Sequence, residues 1–180
     1  MPTMDEVYLG NPLLKKANVK QEFTKEQILE FVACKNDPVY FARQHVKIVS
    51  LDEGLVGFKP YDFQEELIKR FHANRFNICK MPRQTGKSTT SVSYLLHYAV
   101  FNDNVNIGIL ANKAATARDL LGRLQTAYEN LPKWMQQGII SWNKGSLELE
   151  NGSKILAAST SASAVRGMSF NILFLDEFAF

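Results

Sequence analysis

The stretch Arg75-Phe76-Asn77-Ile78-Cys79-Lys80-Met81-Pro82-Arg83-Gln84-Thr85-Gly86-Lys87-Ser88-Thr89-Thr90 decides how this chain is read. An apolar run ends at Cys79, and a loop punctuated by Pro82 and Gly86 follows. Lys87-Ser88-Thr89 then opens an amphipathic segment lasting to about Val100. The order is strand, phosphate loop, helix. Backbone N–H groups of such a loop, with the positive end of the helix behind it, surround a polyphosphate; Lys87 reaches its β- and γ-oxygens and Ser88 ligates Mg²⁺. The expected cradle is Arg83, Gln84, Thr85, Gly86, Lys87, Ser88 and Thr89. Its first glycine is missing: Met81 stands five positions before Gly86, so the common Gly-x-x-x-x-Gly-Lys-Ser/Thr pattern is half met.

Upstream, Asp62 and Glu65 mark a helix start, with Phe63, Leu67 and Phe71 at i, i+4, i+8 as its buried stripe. Gln64 falls in the first turn, away from that stripe. Its planar amide carries both a donor and an acceptor, the pair that adenine N7 and N6 require, although a lone glutamine at a helix start is more often simply solvated. Tyr61 is placed to cover a base or to pack as an ordinary aromatic. Residues 1–22, with Pro2, Gly10, Pro12 and three lysines, read as an extended arm. Thr24-Lys25-Glu26-Gln27 fits a capping box with Phe23 and Ile28 as a hydrophobic staple, starting a helix through Leu29, Phe31 and Val32. Asp37 as N-cap and Pro38 at the first helical position start a second helix, with Tyr40, Phe41 and Val46 on its inner side. Leu51-Asp52-Glu53-Gly54 reads as a turn and a boundary, dividing residues 1–55 from a core over 56–180.

Downstream, residues 105–110 (Val-Asn-Ile-Gly-Ile-Leu) form a short strand, and Asn112 caps a long helix through Leu120, Leu121, Leu124 and Tyr128. The strand–helix alternation predicts parallel strands in an α/β fold flanked by helices. Asn151-Gly152, between apolar alternations, predicts a hairpin and hence a small antiparallel excursion. Residues 171–175 (Asn-Ile-Leu-Phe-Leu) read as a strand buried on both faces that ends in Asp176-Glu177. Ligands of doubly wound sheets bind outside the carboxyl ends of the strands, where the loop and this acidic pair are both expected. Asp176 is the metal-holding carboxylate beside Ser88; Glu177 orients or deprotonates an attacking water. Arg83 is placed to fold over a γ-phosphate as an arginine finger in cis. The plainer accounts are a solvated lysine, a helix cap, and a surface arginine paired with an acid.

The composition fits this reading: 180 residues, 46% hydrophobic and 22% charged, with a net charge of +3 that permits nucleic-acid contact without demanding it. Cys34 and Cys79 lie far apart and show no metal-ligand spacing, so they read as reduced thiols and no metal cluster is expected. His45, His72 and His97 likewise lack ligand spacing. No apolar stretch approaches bilayer length. Trp134 and Trp142 read as packing residues, and Lys113, Arg118 and Arg123 as a solvated helix face more readily than a DNA track.

Six segments together carry a family resemblance: Tyr61-Asp62-Phe63-Gln64, Pro82 to Thr89, Ile109-Leu110-Ala111-Asn112-Lys113, Trp142-Asn143-Lys144-Gly145-Ser146, Ala164-Val165-Arg166-Gly167, and Phe174-Leu175-Asp176-Glu177-Phe178-Ala179-Phe180. They resemble the large terminase subunit of tailed bacteriophages. That resemblance implies a P-loop NTPase fold of the RecA-like, additional-strand type, with a mainly parallel sheet. It implies an ATP- and Mg²⁺-dependent motor that packages double-stranded DNA through a portal protein, assisted by a small terminase subunit and working as a homo-oligomer in the host cytoplasm. It assigns adenine contact to Gln64, the finger to Arg83, phosphate and Mg²⁺ binding to Lys87 and Ser88, and the acidic pair to Asp176 and Glu177. Residues 1–55 become part of a lid-like subdomain, and 56–180 an ATPase core.

Family members continue past the acidic strand into a coupling motif and a nuclease domain. The chain is therefore expected to be a fragment, truncated after the acidic strand and poorly active alone. Arg166, in the Ser/Ala-rich loop before that strand, is open between sensing nucleotide, touching a neighbouring subunit and touching DNA. Two other readings stand beside this one. A superfamily-two helicase also pairs an upstream glutamine with a lysine loop and an Asp-Glu strand, and a non-catalytic remnant would bind nucleotide without turnover.

Overall fold

The computed structural model describes residues 6–50, 52–161 and 167–177. The expected arm is extended but not free. Strands β1 (Val7–Tyr8) and β2 (Asn11–Lys15) pair antiparallel, and Val7 and Leu14 are buried. Buried Gln136 holds the arm down: its Oε1 accepts from the Lys15 N–H at 3.0 Å and its amide donates to the Leu13 carbonyl at 3.0 Å.

Helix α1 (Lys25–Asn36) starts at the capping box read from the sequence, with Gln27 N–H donating to Thr24 Oγ1 and Thr24 N–H to Gln27 Oε1. The staple is not formed as a buried contact. Phe23, Ile28, Leu29 and Val32 are exposed, and α1 reaches the core through Cys34 and Phe31, whose ring meets Phe101 edge-on at 4.9 Å. Helix α2 (Pro38–His45) follows at once, with Asp37 Oδ1 accepting from the Val39 and Tyr40 N–H groups and Phe41 fully buried. The turn read at residues 51–54 joins β3 (Lys47–Ser50) to β4 (Gly54–Gly57) in an antiparallel hairpin that the sequence reading did not anticipate. One hydrophobic cluster joins both parts of the chain, from Leu14, Phe41 and Val46 to Leu96, Leu121 and Ile155.

Helix α3 (Asp62–Ala73) buries Gln64, Glu65, Leu67 and Ile68, whereas Phe63 is half exposed. Of the expected stripe, Leu67 is buried and Phe71 packs half-buried against the core, while Phe63 is left at the edge and the polar Gln64 and Glu65 are buried in addition. Arg43 of α2 pairs with Glu65, its Nε 2.6 Å from Oε1, and Gln64 is bound to the loop ahead of the next helix. That helix, α4 (Lys87–Phe101), was expected to be amphipathic. Eleven of its fifteen residues are buried, since α2, α3 and α5 all pack against it.

The remaining elements are β5 (Asn106–Ala111), α5 (Ala114–Glu129), β6 (Ile139–Trp142), β7 (Ser146–Leu149), β8 (Lys154–Ser159) and β9 (Ile172–Asp176). Lys113, not Asn112, occupies the α5 cap position, without a side-chain cap bond. The five-stranded sheet has the order β6-β7-β8-β5-β9. Pairings of β5 with β8 and β9 are parallel, and those of β6 with β7 and of β7 with β8 antiparallel, so the sheet is mixed rather than mainly parallel. Helix α5 lies across β5 and β8.

Two expectations at the sheet edge need correction. Residues 76–80 do not form a strand: no described strand lies beside them to complete their backbone hydrogen bonds, and Phe76 and Ile78 are exposed. Strand β9 is not buried on both faces: among the described residues it pairs with β5 alone, and Leu173 and Leu175 are partly exposed.

The C-terminal end of α4 is closed by the β7–β8 turn. Asn151 Nδ2 donates to the Ala99 and Asn102 carbonyls at 2.9 and 3.0 Å, and Ser153 Oγ to Asn102 O at 2.8 Å. Gln137 Nε2 takes the Val100 carbonyl at 3.0 Å. These side chains satisfy acceptors that a helix end leaves open. Gly152, at φ +79, is required here: a Cβ would lie 2.2 Å from Asn104 Oδ1. Replacing Asn151 by Ala removes two donors from buried carbonyls and is expected to cost ~1–3 kcal/mol in denaturant unfolding, with an unchanged m-value.

His97 is buried in the middle of α4. A carbonyl only accepts, so the 2.8 Å contact to Cys34 O fixes the proton on Nε2, and Nδ1 has no partner. Burial pushes this histidine down to about 4. A base depressed in the folded state contributes stability that is complete above its unfolded value of about 6.5 and is lost as pH falls through about 4. Unfolding free energy should therefore drop by ~1.4 kcal/mol per pH unit between these limits, and a His97→Gln variant should flatten that slope.

Candidate nucleotide-binding site

The loop ahead of α4 is built to leave N–H groups free. Gln84 and Gly86 both take left-handed backbone, at φ +62 and +71, on either side of Thr85. Alternation of this kind curls successive N–H groups toward one concavity. Thr85 Oγ1 closes the turn on the Pro82 carbonyl at 3.0 Å, while Gly86 O accepts from both the N–H and the hydroxyl of Thr90. The N-cap of α4 is Gly86 itself, and no side chain caps the helix. A helix otherwise buried thus presents its uncapped positive end, with half-buried Lys87, Ser88 and Thr89, to this concavity.

Gln64 links the loop to a second feature. It is buried, its Oε1 accepts from Tyr61 N–H at 2.9 Å, and its Nε2 donates to Thr85 O at 3.0 Å. Gly86 permits this approach, because a Cβ there would stand 2.5 Å from Gln64 Nε2. One amide hydrogen and one lone pair remain on Gln64, the complement of an adenine edge. Beside it opens a cavity of about 520 Å³ between the β3–β4 hairpin and the start of α4, lined by Ile48, Val56, Phe58, Tyr61, Gly86 and Thr89. Tyr61 stacks on Phe63, with ring centroids 5.7 Å apart and planes 10° from parallel, and both rings are substantially exposed.

On the opposite side stands the acidic strand. Asp176 is in register with Ala111 of β5, which is in register with Ser159 of β8, so its carboxyl lies at the C-terminal ends of the parallel strands. Asp176 is buried. Burial, then the Glu177 carboxylate, raises its pKa, while the Lys87 ammonium and Arg123 pull the other way. Lys87 is therefore within electrostatic reach of Asp176. Glu177 is exposed and takes a left-handed φ of +50, a conformation that costs a non-glycine residue roughly 1–3 kcal/mol and tends to occur at functional sites.

The structure thus brings together Gln64, Thr85 and Gly86, and it leaves Lys87 close enough for its charge to act on Asp176. Arg83 and Gln84 are exposed, and Arg83 has no ion-pair partner among the described residues. Arg123 pairs with Asp119 at 2.9 Å and Arg118 bonds back to Ala114 O, as a solvated helix face would. Trp134 packs edge-on to His45, and Trp142 packs against Tyr128. Arg166 lies outside the described residues.

Two features escaped the sequence reading. One is the β3–β4 hairpin as a cavity wall, signalled by Ile48-Val49 and Leu55-Val56 on either side of the turn. The other is a cluster of Glu30, Cys34 and His45, whose ligand-type atoms lie within 4.8 Å of one another. The i, i+4 pair on α1 was legible, but the contribution of His45 from α2 was not.

An uncapped helix N-terminus behind a left-handed loop, facing a buried carboxylate at the ends of parallel strands, marks an α/β protein with a candidate polyphosphate site. Residues 78–180, more than half of the chain, match the family described as terminase large subunit, T4likevirus-type, N-terminal, and the chain belongs to that family. Its fold is similar to the crystal structure of the HK97 bacteriophage large terminase, with a TM-score of 0.64 at 18% sequence identity. The match covers 78% of this chain and 30% of that one, so the chain spans about a third of the length of the HK97 protein. Among the described residues, no helix is long and apolar enough to cross a membrane.

A carboxyl raised in the folded state contributes stability that is present below its unfolded value and is lost as pH rises through the folded one. Asp176→Asn is therefore expected to raise the melting temperature at neutral pH in chelator, and to flatten its decline across the acidic range. An unchanged or lowered melting temperature would show that Lys87 already compensates the charge.

Proposed function

We propose that this chain is the ATP-binding and ATP-hydrolysing part of a large terminase subunit, a motor that drives double-stranded DNA into a capsid. The observation that carries the reading is the Lys87 loop set against Asp176 at the carboxyl ends of β5, β8 and β9. The finer fold assignment, a P-loop NTPase of the RecA-like, additional-strand type, rests on the same juxtaposition. Gln64 reads the adenine edge and Tyr61 covers the base. The loop N–H groups from Gln84 to Thr89 and the Lys87 ammonium hold the phosphates.

The donor set fits Mg²⁺: a buried carboxylate with a second carboxylate beside it, incompletely balanced by one lysine, and a hydroxyl at Ser88 in the first turn of α4. Ser88 and Asp176 would hold the ion, which when bound supplies counter-charge to the phosphate oxygens. Glu177 accepts the proton of the attacking water at its carboxylate or orders that water for in-line attack. Arg83, unpaired and exposed, folds over the γ-phosphate and spreads its charge in the transition state. By the family resemblance, the partners are double-stranded DNA, a portal protein, a small terminase subunit and further copies of the chain. The place of action is the host cytoplasm, at the procapsid.

Three substitutions separate the roles. Lys87→Ala should weaken ATP binding about tenfold or more, or ~1.4 kcal/mol, by titration calorimetry. Glu177→Gln should leave binding intact and reduce kcat by ~10²–10⁴. Arg83→Ala should lower kcat on the order of 10³-fold with little change in affinity. Undiminished binding in Lys87→Ala removes the nucleotide site. The two kcat comparisons are made in the full-length terminase subunit with DNA present; nucleotide binding without turnover there leaves a nucleotide-binding module and removes the motor.

A further inference from the structure

The first turns of the molecule hold a donor cluster that the nucleotide site does not use. Glu30 and Cys34 lie one turn apart on α1, and His45 ends α2. Glu30 Oε1 is 2.7 Å from His45 Nε2 and 3.6 Å from Cys34 Sγ, and all three ligand-type atoms fall within 4.8 Å of one another. A tetrahedral zinc site with Zn–S near 2.3 Å and Zn–N and Zn–O near 2.0–2.1 Å sets its ligand atoms roughly 3–4 Å apart, so only small shifts are needed.

The surroundings are those of a built site. Cys34 is fully buried, and the side chains of His45 and Glu30 are 14% and 30% exposed. Tyr40 Oη donates to Glu30 Oε2 at 3.0 Å, which leaves Oε1 to face the thiol and the imidazole. The His45 ring is held between Phe41 and the edge of Trp134, with centroids 6.3 and 6.2 Å away. Carboxylate orientation by an outer hydrogen bond and an apolar collar around the imidazole are the supports a metal ligand set needs.

We propose that Glu30, Cys34 and His45 bind a divalent cation of zinc type, with one thiolate, one imidazole and one carboxylate as ligands and a water in the fourth position. On binding, the Cys34 thiol proton leaves to solvent and the imidazole proton resides on Nδ1, so that Nε2 offers its lone pair. The +2 charge then meets one thiolate and one carboxylate and is neutralised. Sulfur and imidazole select against Mg²⁺, so this site and the proposed nucleotide site take different ions. Its structural effect is to tie α1 to the C-terminal end of α2, where the hydrogen-bonded cluster already joins them.

The test is a Co²⁺ titration of the metal-free protein, read by thiolate-to-cobalt charge-transfer absorption. A one-to-one saturating band is expected, displaced by Zn²⁺ and not by Mg²⁺. It should survive in Cys79→Ser and Lys87→Ala and vanish in Cys34→Ser, whose fold is checked by circular dichroism. His45→Gln should weaken Co²⁺ binding at least tenfold, and Zn²⁺ should raise the melting temperature of the unsubstituted protein but not that of Cys34→Ser. Absence of the band in the unsubstituted protein overturns the proposal without recourse to any variant. So does a band that follows Cys79 instead of Cys34.

Discussion

Burial of α4 on nearly every side is the constraint from which the rest of the architecture follows. A helix enclosed by α2, α3 and α5 can meet solvent only at its ends, and its backbone leaves unmatched N–H groups at one and unmatched carbonyls at the other. At the carbonyl end the chain supplies side chains: Asn151 and Ser153 from the β7–β8 turn, and Gln137 from the segment before β6. At the N–H end it supplies none, and the cap is a glycine. That asymmetry concentrates the positive end of the macrodipole in the one place where the loop bends away from the core. Under the proposed function, the nucleotide's phosphates would complement that end.

Charge across the site follows the same logic. Asp176 sits buried at the strand ends with Glu177 beside it, and two carboxylates close together in a desolvated place repel. Lys87 offsets part of this, which is why its pull on Asp176 is felt without cancelling the upward shift. The arrangement is stable enough to fold but not at its own electrostatic minimum. A bound cation shared by Asp176 and a phosphate would relieve the repulsion and leave Lys87 for the phosphate. Glu177 combines a left-handed φ of +50 with an exposed side chain directly after the buried Asp176.

What could be read from the sequence was local. Thr24 with Gln27, Asp37 with Pro38 and Asn151-Gly152 each act through neighbours a few residues away, and each forms as read. The turn over Arg83–Gly86 and the helix start at Lys87 were legible for the same reason. Illegible features depend on contacts between distant segments. Periodicity in α4 suggested one apolar face, yet small and hydroxyl residues such as Ser91, Ser93 and Ala99 are buried too, because neighbouring helices approach closely enough to enclose them. In α3, Leu67 and Phe71 pack inward as read, but the exposure of Phe63 and the burial of Gln64 and Glu65 were not legible, because Arg43 holds Glu65 and Thr85 holds Gln64, neither visible as hydrophobic spacing. Residues 76–80 have strand-like composition, but a strand is a property of a pair, and composition does not supply the partner. Met81 could be recognised as a missing glycine; that the left-handed position would pass to Gln84 could not.

Gln64 shows how the two halves of the site become one unit. Its amide spends one donor on the Thr85 carbonyl and one acceptor on the Tyr61 N–H, so it is fixed before any base arrives. A ligand edge that uses the remaining donor and acceptor therefore meets a preorganised group and loses little rotamer entropy in binding it. The same amide grips the loop at the residue between its two left-handed positions, and it reaches there only because residue 86 has no Cβ. Any tilt of Gln64 toward a base must move Thr85 or break a buried hydrogen bond, a choice that costs about 1 kcal/mol or more either way. On the proposed reading, a base held by Gln64 and the shape of the loop would be coupled through a single side chain, and the absence of a Cβ at Gly86 is what permits that contact.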